Sequence, residues 1–336
     1  MTDLSRHAIV ITSINEPTES VRRLSALGDR WSIVVVGDRK SPAEWHQPGV
    51  KFLSIDEQRA LPMRFPEACL VNSYTRKNVG YLKVIADGAE VILETDDDNS
   101  PYESFGAIPL RRFRARRIAS GGWVNVYSLF TENRVWPRGF PLGELNAGFR
   151  VPLDLEDEAE FDAPIQQFLA DGDPDVDAIY RLTQEGEILF SQGSYVLGRG
   201  SYCPFNSQNT LWFREAFPLL YLPGHVSFRM TDIWRSFVAQ VSLFAAGQCL
   251  AFHGPTVYQY RNAHSLMRDF EDEIPGYLRN SRMVAELTAL DLGTDHAANL
   301  RVCYGALVDV GIVPEQELRL IELWLADLEA LGVCPA

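Results

Sequence analysis

Residues Glu94 to Pro101 read ETDDDNSP: three adjacent aspartates after the apolar run EVIL, closed by Asn99, Ser100 and Pro101. Like charges side by side repel, and a simple turn after a strand would manage with one Asp or Asn. A hard divalent cation removes the conflict. Mg²⁺ and Mn²⁺ prefer oxygen ligands, keep several waters and complete their shell with phosphate oxygens. The bland alternative is a solvated acidic turn. Just upstream, Arg76, Lys77 and Asn78 lie in a helical pattern. Arg and Lys beside such a site can neutralise a diphosphate.

The elements that must position this cluster follow from the spacing. HAIVITSI (7–14) and WSIVVVGD (31–38) are short β-branched runs, and TESVRRLSALGDR between them has helical spacing ending at Gly28. The second run is apolar on every side, as in a parallel strand covered on both faces. VKFLSI (50–55) is a third strand, and SYTRKNVGYLKVIADGA (73–89) is a helix stopped by Gly88 that leads into EVILETDDD. Alternating β/α units predict a doubly wound sheet. Ligands in open α/β sheets bind at the carboxyl ends of the strands, where the aspartates fall.

The middle of the chain is less regular. LRRFRARRIASGGWVNVYS (110–128) is its most basic stretch and reads as an amphipathic helix with a basic face. FRVPLDLEDEAEFDAP (149–164) is acidic and reads as a surface excursion. GDPDVDAIYRL turns at Asp173-Pro174 and carries Asp175 and Asp177. A helix is expected from Thr231, a candidate N-cap, to Gly247. A strand, a loop and the start of a helix follow, and from about Ile274 the pattern is amphipathic helix. The expected division is one domain over 1–272 and a helical region over 273–336. Within the domain, a nucleotide-binding half covers about 1–110 and an acceptor half about 111–272.

The 336 residues are 46% hydrophobic and carry a formal net charge of −14. That balance disfavours broad binding to nucleic acid or to an anionic membrane. The five cysteines are scattered and form no CxxC pair, so they read as reduced thiols rather than as a disulfide frame or zinc site. No signal peptide and no integral membrane segment are recognisable, and the expected location is cytoplasmic. Self-association into a homo-oligomer is left open.

RKNVGYLKVIADGAEVILETDDDN resembles the segment of GT-A glycosyltransferases that ends in the DxD motif. More narrowly, it is similar to the STELLO family. That likeness continues through WSIVVVGDRKSP, VWPRGFPL, PDVDAIYRL, PFNSQNTLWF, VSFRMTDIWRSFVAQ and RNAHSLMRDFEDE, over roughly residues 7 to 275. A more distant likeness is to the reversibly glycosylated polypeptides, the UDP-arabinopyranose mutases, through the triple aspartate, PRGFPL and DVDA.

The resemblance implies a GT-A fold: α/β, Rossmann-like, with a doubly wound mixed sheet and here a helical C-terminal region. It implies Asp96 and Asp98 as contacts to the nucleotide sugar and to Mn²⁺ or Mg²⁺, with Asp97 as a donor-sugar or second metal contact. Thr12, Ser13 and Asn15 would line the nucleobase pocket. Asp38 would hold base or ribose, although spacing alone fits a plain turn equally well. Lys77 and Asn78 would face the nucleotide. A further metal ligand is expected from His264, with His253 in reserve and His225 also available. Arg261 could pair with a phosphate. Asp232 would be the catalytic base of an inverting transferase, although an acid in a first helical turn also serves as a cap. Asp175 and Asp177 would contact the acceptor. Arg138 matches the glycosylated arginine of the mutases, but reads better as a loop arginine binding phosphate or carboxylate.

The expected function is a metal-dependent glycosyltransferase moving a sugar from a UDP-linked donor to a carbohydrate or glycan acceptor. A sugar-nucleotide mutase and a non-catalytic interaction protein are the alternatives.

Overall fold

The computed structural model describes residues 6–28, 30–107, 110–148, 153–260 and 265–334. The first half alternates strands and helices: β1 (His7–Thr12), α1 (Glu19–Ser25), β2 (Ser32–Val36), β3 (Val50–Leu53), α2 (Ile55–Arg59), α3 (Phe65–Ala68), α4 (Lys77–Ala86) and β4 (Val91–Thr95). Then come β5 (Asn99–Pro101), β6 (Arg112–Ile118), β7 (Gly122–Trp123), α5 (Leu145–Gly148), β8 (Ala159–Asp162), β9 (Ile165–Gly172) and α6 (Ala178–Thr183). Next are β10 (Ser194–Leu197), β11 (Ser201–Tyr202), β12 (Asn209–Phe213), α7 (Thr231–Ala245) and β13 (Leu250–Gln259). Three helices close the chain: α8 (Leu266–Thr288), α9 (His296–Asp309) and α10 (Gln316–Ala330).

Among the described residues one large mixed sheet runs β3-β2-β1-β4-β12-β9-β13-β10-β6-β8, with β5 paired to β13. The first four strands are parallel. β12 enters antiparallel to both β4 and β9. The β-branched runs decide this arrangement by being apolar on both faces. In β1, Ala8 and Val10 pack into one core, while Ile9 and Ile11 pack into a second on the opposite face. Leu24 of α1 covers the second core, and Val79 and Leu82 of α4 the first. The sheet is thus doubly wound, as the sequence predicts. At Gly80 a Cβ would lie 2.5 Å from Val36 and 2.7 Å from Val10, so glycine is what lets α4 settle this close to β1 and β2.

The basic stretch is not a helix. Arg112–Ile118 forms β6, antiparallel to β8, so the acidic segment supplies an edge strand rather than a loose excursion. Arg112, Arg114 and Arg116 are exposed, while Phe113 and Ala115 between them are half-buried and buried. That is the period of a strand. Opposite charges from the two segments face each other, as in Arg111–Asp162 and Arg117–Glu156. Thr231 is likewise not an N-cap. A 3₁₀ turn, Phe228–Met230, runs straight into α7, and the Thr231 hydroxyl donates to the Ser227 carbonyl at 3.4 Å instead.

The C-terminal helices share the main core, with Leu300, Leu307 and Trp324 packed in the same cluster as Val10 and Ile92. Helix α8 opens at Leu266, in the segment where the sequence places the start of a helix. Carboxylates of α10 reach back to earlier segments of the chain. Asp327 accepts from the backbone amides of Arg64 and Phe65 at the start of α3. Glu317 accepts from those of Gly224 and His225.

Helix α7 is fixed to β4 by a buried ion pair. Arg235 donates to both Glu94 oxygens at 3.0 and 2.6 Å, and Trp212 and Tyr81 donate to the same carboxylate. Removing one partner strands a buried charge, at a cost of about 3–5 kcal/mol. Glu94→Gln is therefore expected to lower unfolding free energy by about that amount, read from urea melts.

Two buried histidines give the fold a pH dependence. His253 lies between Ser194 and Gln166, and His296 between Ser242 and Gln248. Burial lowers both to about 4. An unfolded histidine takes a proton near 6.5, so between the two values the unfolded chain binds more protons. This stability is fully present above about pH 6.5 and lost as pH falls toward 4, up to about 3 kcal/mol for each histidine. The thermal midpoint should drop over that window, and His253→Gln and His296→Gln should flatten the drop.

Candidate functional site

The chain order β1, β2, β3 runs outward from β1 on one side, and β4 returns on the other. The carboxyl ends of β1 and β4 therefore flank a topological switch point, where open α/β sheets leave a crevice. A cleft of about 580 Å³ lies there. One wall is the loop after β1 with Asp38, another is Asp96–Asp98, and the far wall comes from the second half of the chain through Arg138, Asp175 and Asp232.

The three aspartates do different things. Asp97 is 9% exposed, and one carboxylate oxygen accepts from Ser13 Oγ and from Asn15 Nδ2 at 2.9 Å. Its carbonyl accepts from Thr18, the residue that caps α1. Asp97 thus ties the β1 loop to the β4 loop. Asp96 Oδ1 accepts from Tyr74 at 2.9 Å and from Lys77 at 3.2 Å, and among the described residues its Oδ2 has no hydrogen bond. Burial raises the pKa of Asp96, with Lys77 opposing. Asp98 Oδ1 accepts from Gln259 of β13 at 3.1 Å, and its carbonyl accepts from the Tyr260 amide.

Lys77 and its neighbours are structural anchors. The fully buried Lys77 ammonium donates to Tyr74, the carbonyls of Thr95 and Ser207, and Asp96. Asn78 exchanges two hydrogen bonds with the backbone of Leu222 and does not line the cleft. Arg76 spends its guanidinium on Gln58, Pro66 and Cys69. Asp38 lines the cleft, but its two oxygens each accept a backbone amide, from Asn72 and Ser73, at 2.9 Å. It pins a loop in which Asn72 takes a φ of 52°.

The far wall is built on Arg138. Its guanidinium makes paired hydrogen bonds to Asp175, both 2.8 Å, and to Asp232 at 3.0 and 2.8 Å. Gly139 beside it, at φ 86°, has Ile233 only 2.4 Å from where a Cβ would stand, so PRGFP needs glycine to bring Arg138 against α7. Burial acts to raise the pKa of Asp232, but the Arg138 guanidinium outweighs it and holds the carboxyl well below the usual range. A carboxylate so held is a weak proton acceptor, since an efficient base has a pKa near the working pH. Asp177 is fully buried away from the cleft. It caps α6 through Tyr180 and accepts from Trp136 at 2.6 Å, and burial raises it to about 7.

Of the three histidines, His253 has both ring nitrogens bonded within the sheet, and His225 pairs with Glu317 at 2.9 Å. Neither lines the cleft. His264 and Arg261 lie outside the described residues. Several cleft residues escape a reading of local sequence: Tyr74, Ser207, Gln208, Phe228, Arg229 and Gln259. The signal was present in part, since PFNSQNT and VSFRMTD lie within family-like blocks and SYT stands directly before another, RKNVGYLK.

Asp38→Ala should free the Asn72 and Ser73 amides. A loss of about 1–3 kcal/mol is expected, with faster hydrogen exchange confined to those amides and their neighbours, read by mass spectrometry.

Residues 229–334 match the model of the STELLO glycosyltransferases. Two Arabidopsis thaliana proteins, "Probable glycosyltransferase STELLO2" and "Probable glycosyltransferase STELLO1", are 28% and 29% identical to the chain over 96% of its length. The chain spans 45% and 44% of these relatives, less than half of each. The solved glucosyl-3-phosphoglycerate synthase of M. tuberculosis aligns with 84% of this chain and 79% of that one, at 11% identity and a TM-score of 0.33, which is too loose to weigh. The chain is thus similar to the STELLO glycosyltransferases along nearly its whole length. The likeness extends past residue 275 into the helices that the sequence blocks left out.

Proposed function

We propose that the chain is a metal-dependent glycosyltransferase of GT-A type. Its donor would be a nucleotide sugar, UDP-linked as the resemblance implies, and its acceptor a carbohydrate. The supporting observation is the cleft at the switch point between β1 and β4, with Asp96 and Asp98 in its wall. The base and ribose would lie along Thr12, Ser13 and Asn15, with Asp38 holding the adjoining loop.

The donor set fits Mg²⁺ or Mn²⁺ of the open kind. One oxygen of Asp97 is taken by Ser13 and Asn15, which ties that residue to the β1 loop, and Asp96 and Asp98 are the acids assigned to the cation. Among the described residues no three acids, histidines or cysteines converge to close a site. One or two carboxylates completed by waters and substrate phosphates is the usual arrangement for Mg²⁺. When bound, such a cation supplies Lewis-acid stabilisation of the departing diphosphate. Lys77 serves by fixing Asp96, and Arg138 by orienting Asp175 and Asp232 on the acceptor side. With its carboxylate held ionised, Asp232 is suited to orient an acceptor hydroxyl more than to take its proton. A mutase reading finds no support in this geometry. Arg138 is held protonated between two carboxylates and cannot act as a nucleophile.

Calorimetric titration with UDP, GDP, ADP and CDP in Mn²⁺ tests the reading. At least one nucleotide should bind, and Asp98→Ala should weaken it at least tenfold, about 1.4 kcal/mol. Binding of none of the four, or binding indifferent to Asp98→Ala, would overturn the assignment.

A further inference from the structure

Phe228 breaks the burial pattern of its surroundings. It sits in the 3₁₀ turn that opens α7, between residues of the polar wall, and lines the cleft with 55% of its surface exposed. Its ring is held by an edge-on contact with Tyr74, centroids 6.0 Å apart. Tyr74 is in turn fixed by Asp96 and Ser207. The ring is therefore oriented from behind and open in front. Leaving a large aromatic surface in water is unfavourable, and an oriented, exposed ring on a cleft wall suits a ligand with a flat apolar face.

The next residue supplies a second observation. Arg229 is 8% exposed and also lines the cleft. Its Nε donates to Glu273 at 3.0 Å. Its Nη2 lies 3.0 Å from Glu273 and 3.9 Å from Asp175 as ion pairs, yet makes no hydrogen bond among the described residues. The atom is enclosed against Glu273, so Arg229 holds that carboxylate at the cleft wall. The charges around the ring decide which kind of ligand fits. Arg138 and Arg229 face Asp175, Asp232 and Glu273, two cations against three carboxylates. That excess does not favour a phosphate or carboxylate, whereas an uncharged hydroxylated ring meets no such repulsion.

We propose that Phe228 and Arg229 form the acceptor subsite, and that the acceptor is a neutral sugar ring laid against Phe228 beside the Asp175, Arg229 and Glu273 cluster. This assignment rests on the glycosyltransferase reading and narrows it: the acceptor is an uncharged glycan, and Phe228 is a specificity-determining residue.

The test compares the wild-type chain with Phe228→Ala and Phe228→Trp. Exposure of the ring makes both substitutions safe for folding, which a thermal melt verifies. Saturation-transfer NMR with a panel of neutral methyl hexosides and pentosides, glucuronic acid and glucose 6-phosphate reports glycan binding, and the Mn²⁺–nucleotide titration is run in parallel. The expected result is binding of at least one neutral glycoside, weakened at least tenfold by Phe228→Ala and kept by Phe228→Trp, with nucleotide affinity unchanged. Three outcomes overturn the subsite: no glycoside binds, the anionic sugars bind better, or Phe228→Ala leaves glycoside binding intact. Nucleotide affinity lost with Phe228→Ala also overturns it, because the ring would then stack on the base. Failure of every nucleotide to bind the wild-type chain counts against the parent reading alone, and the glycoside arm still judges Phe228.

Discussion

The cleft depends on the buried pairing of Glu94 with Arg235. Glu94 is two residues before the first of the three aspartates, on a strand buried along its whole length. Arg235 is one turn into α7, three residues after Asp232. Locking the two guanidinium nitrogens to the two carboxylate oxygens fixes α7 against β4 in a single register. Asp96 and Asp232 then face each other across one cavity. Desolvating both ions offsets most of their attraction, so the pair adds little net stability against an apolar substitute. Its physical effect is that no shifted packing of α7 can satisfy Glu94, whose oxygens also take the Trp212 and Tyr81 donors.

From that register the cleft divides by charge. On the donor side, Lys77 is fully committed to Tyr74, Asp96 and two backbone carbonyls, so it stiffens the end of β4. On the acceptor side, Arg138 is committed to Asp175 and Asp232. Between them a chain of contacts runs from Asp96 through Tyr74 and Ser207 to Asp232. Lys77 and Arg138, two of the cations that sequence reasoning would aim at a phosphate, are thus used to set carboxylates in place. What remains for substrate includes the open Oδ2 of Asp96 and the exposed face of Phe228.

Much of the fold was legible because its cause is local. The β-branched runs of β1 and β2, apolar on both faces, can be buried only in a sheet covered on both sides, and Gly88 marks a helix end in the sequence itself. The arginine stretch was misread because RRFRARR alternates as well as it clusters. Its strand partner, the acidic β8, lies more than forty residues away, and only that pairing selects the period of two. The Thr231 cap failed for a related reason: a preceding 3₁₀ turn already supplied the start of α7.

The sequence by itself determined the chemistry available: three carboxylates at the end of a buried strand, a basic helix before it, and acids and an arginine in the second half. It also determined that these stand at the carboxyl edge of a doubly wound sheet, because hydrophobic period and chain order are properties of the sequence. Only the tertiary structure decided which carboxylate is spent and which is open. One oxygen of Asp97 is taken by Ser13 and Asn15, more than eighty residues earlier, and both oxygens of Asp38 by two amides some 34 residues on. Asp177 is buried under Trp136. A hydrogen bond is satisfied by whichever donor the packed chain brings within about 3 Å. That neighbour is set by the folding of distant segments and leaves no local mark in the sequence.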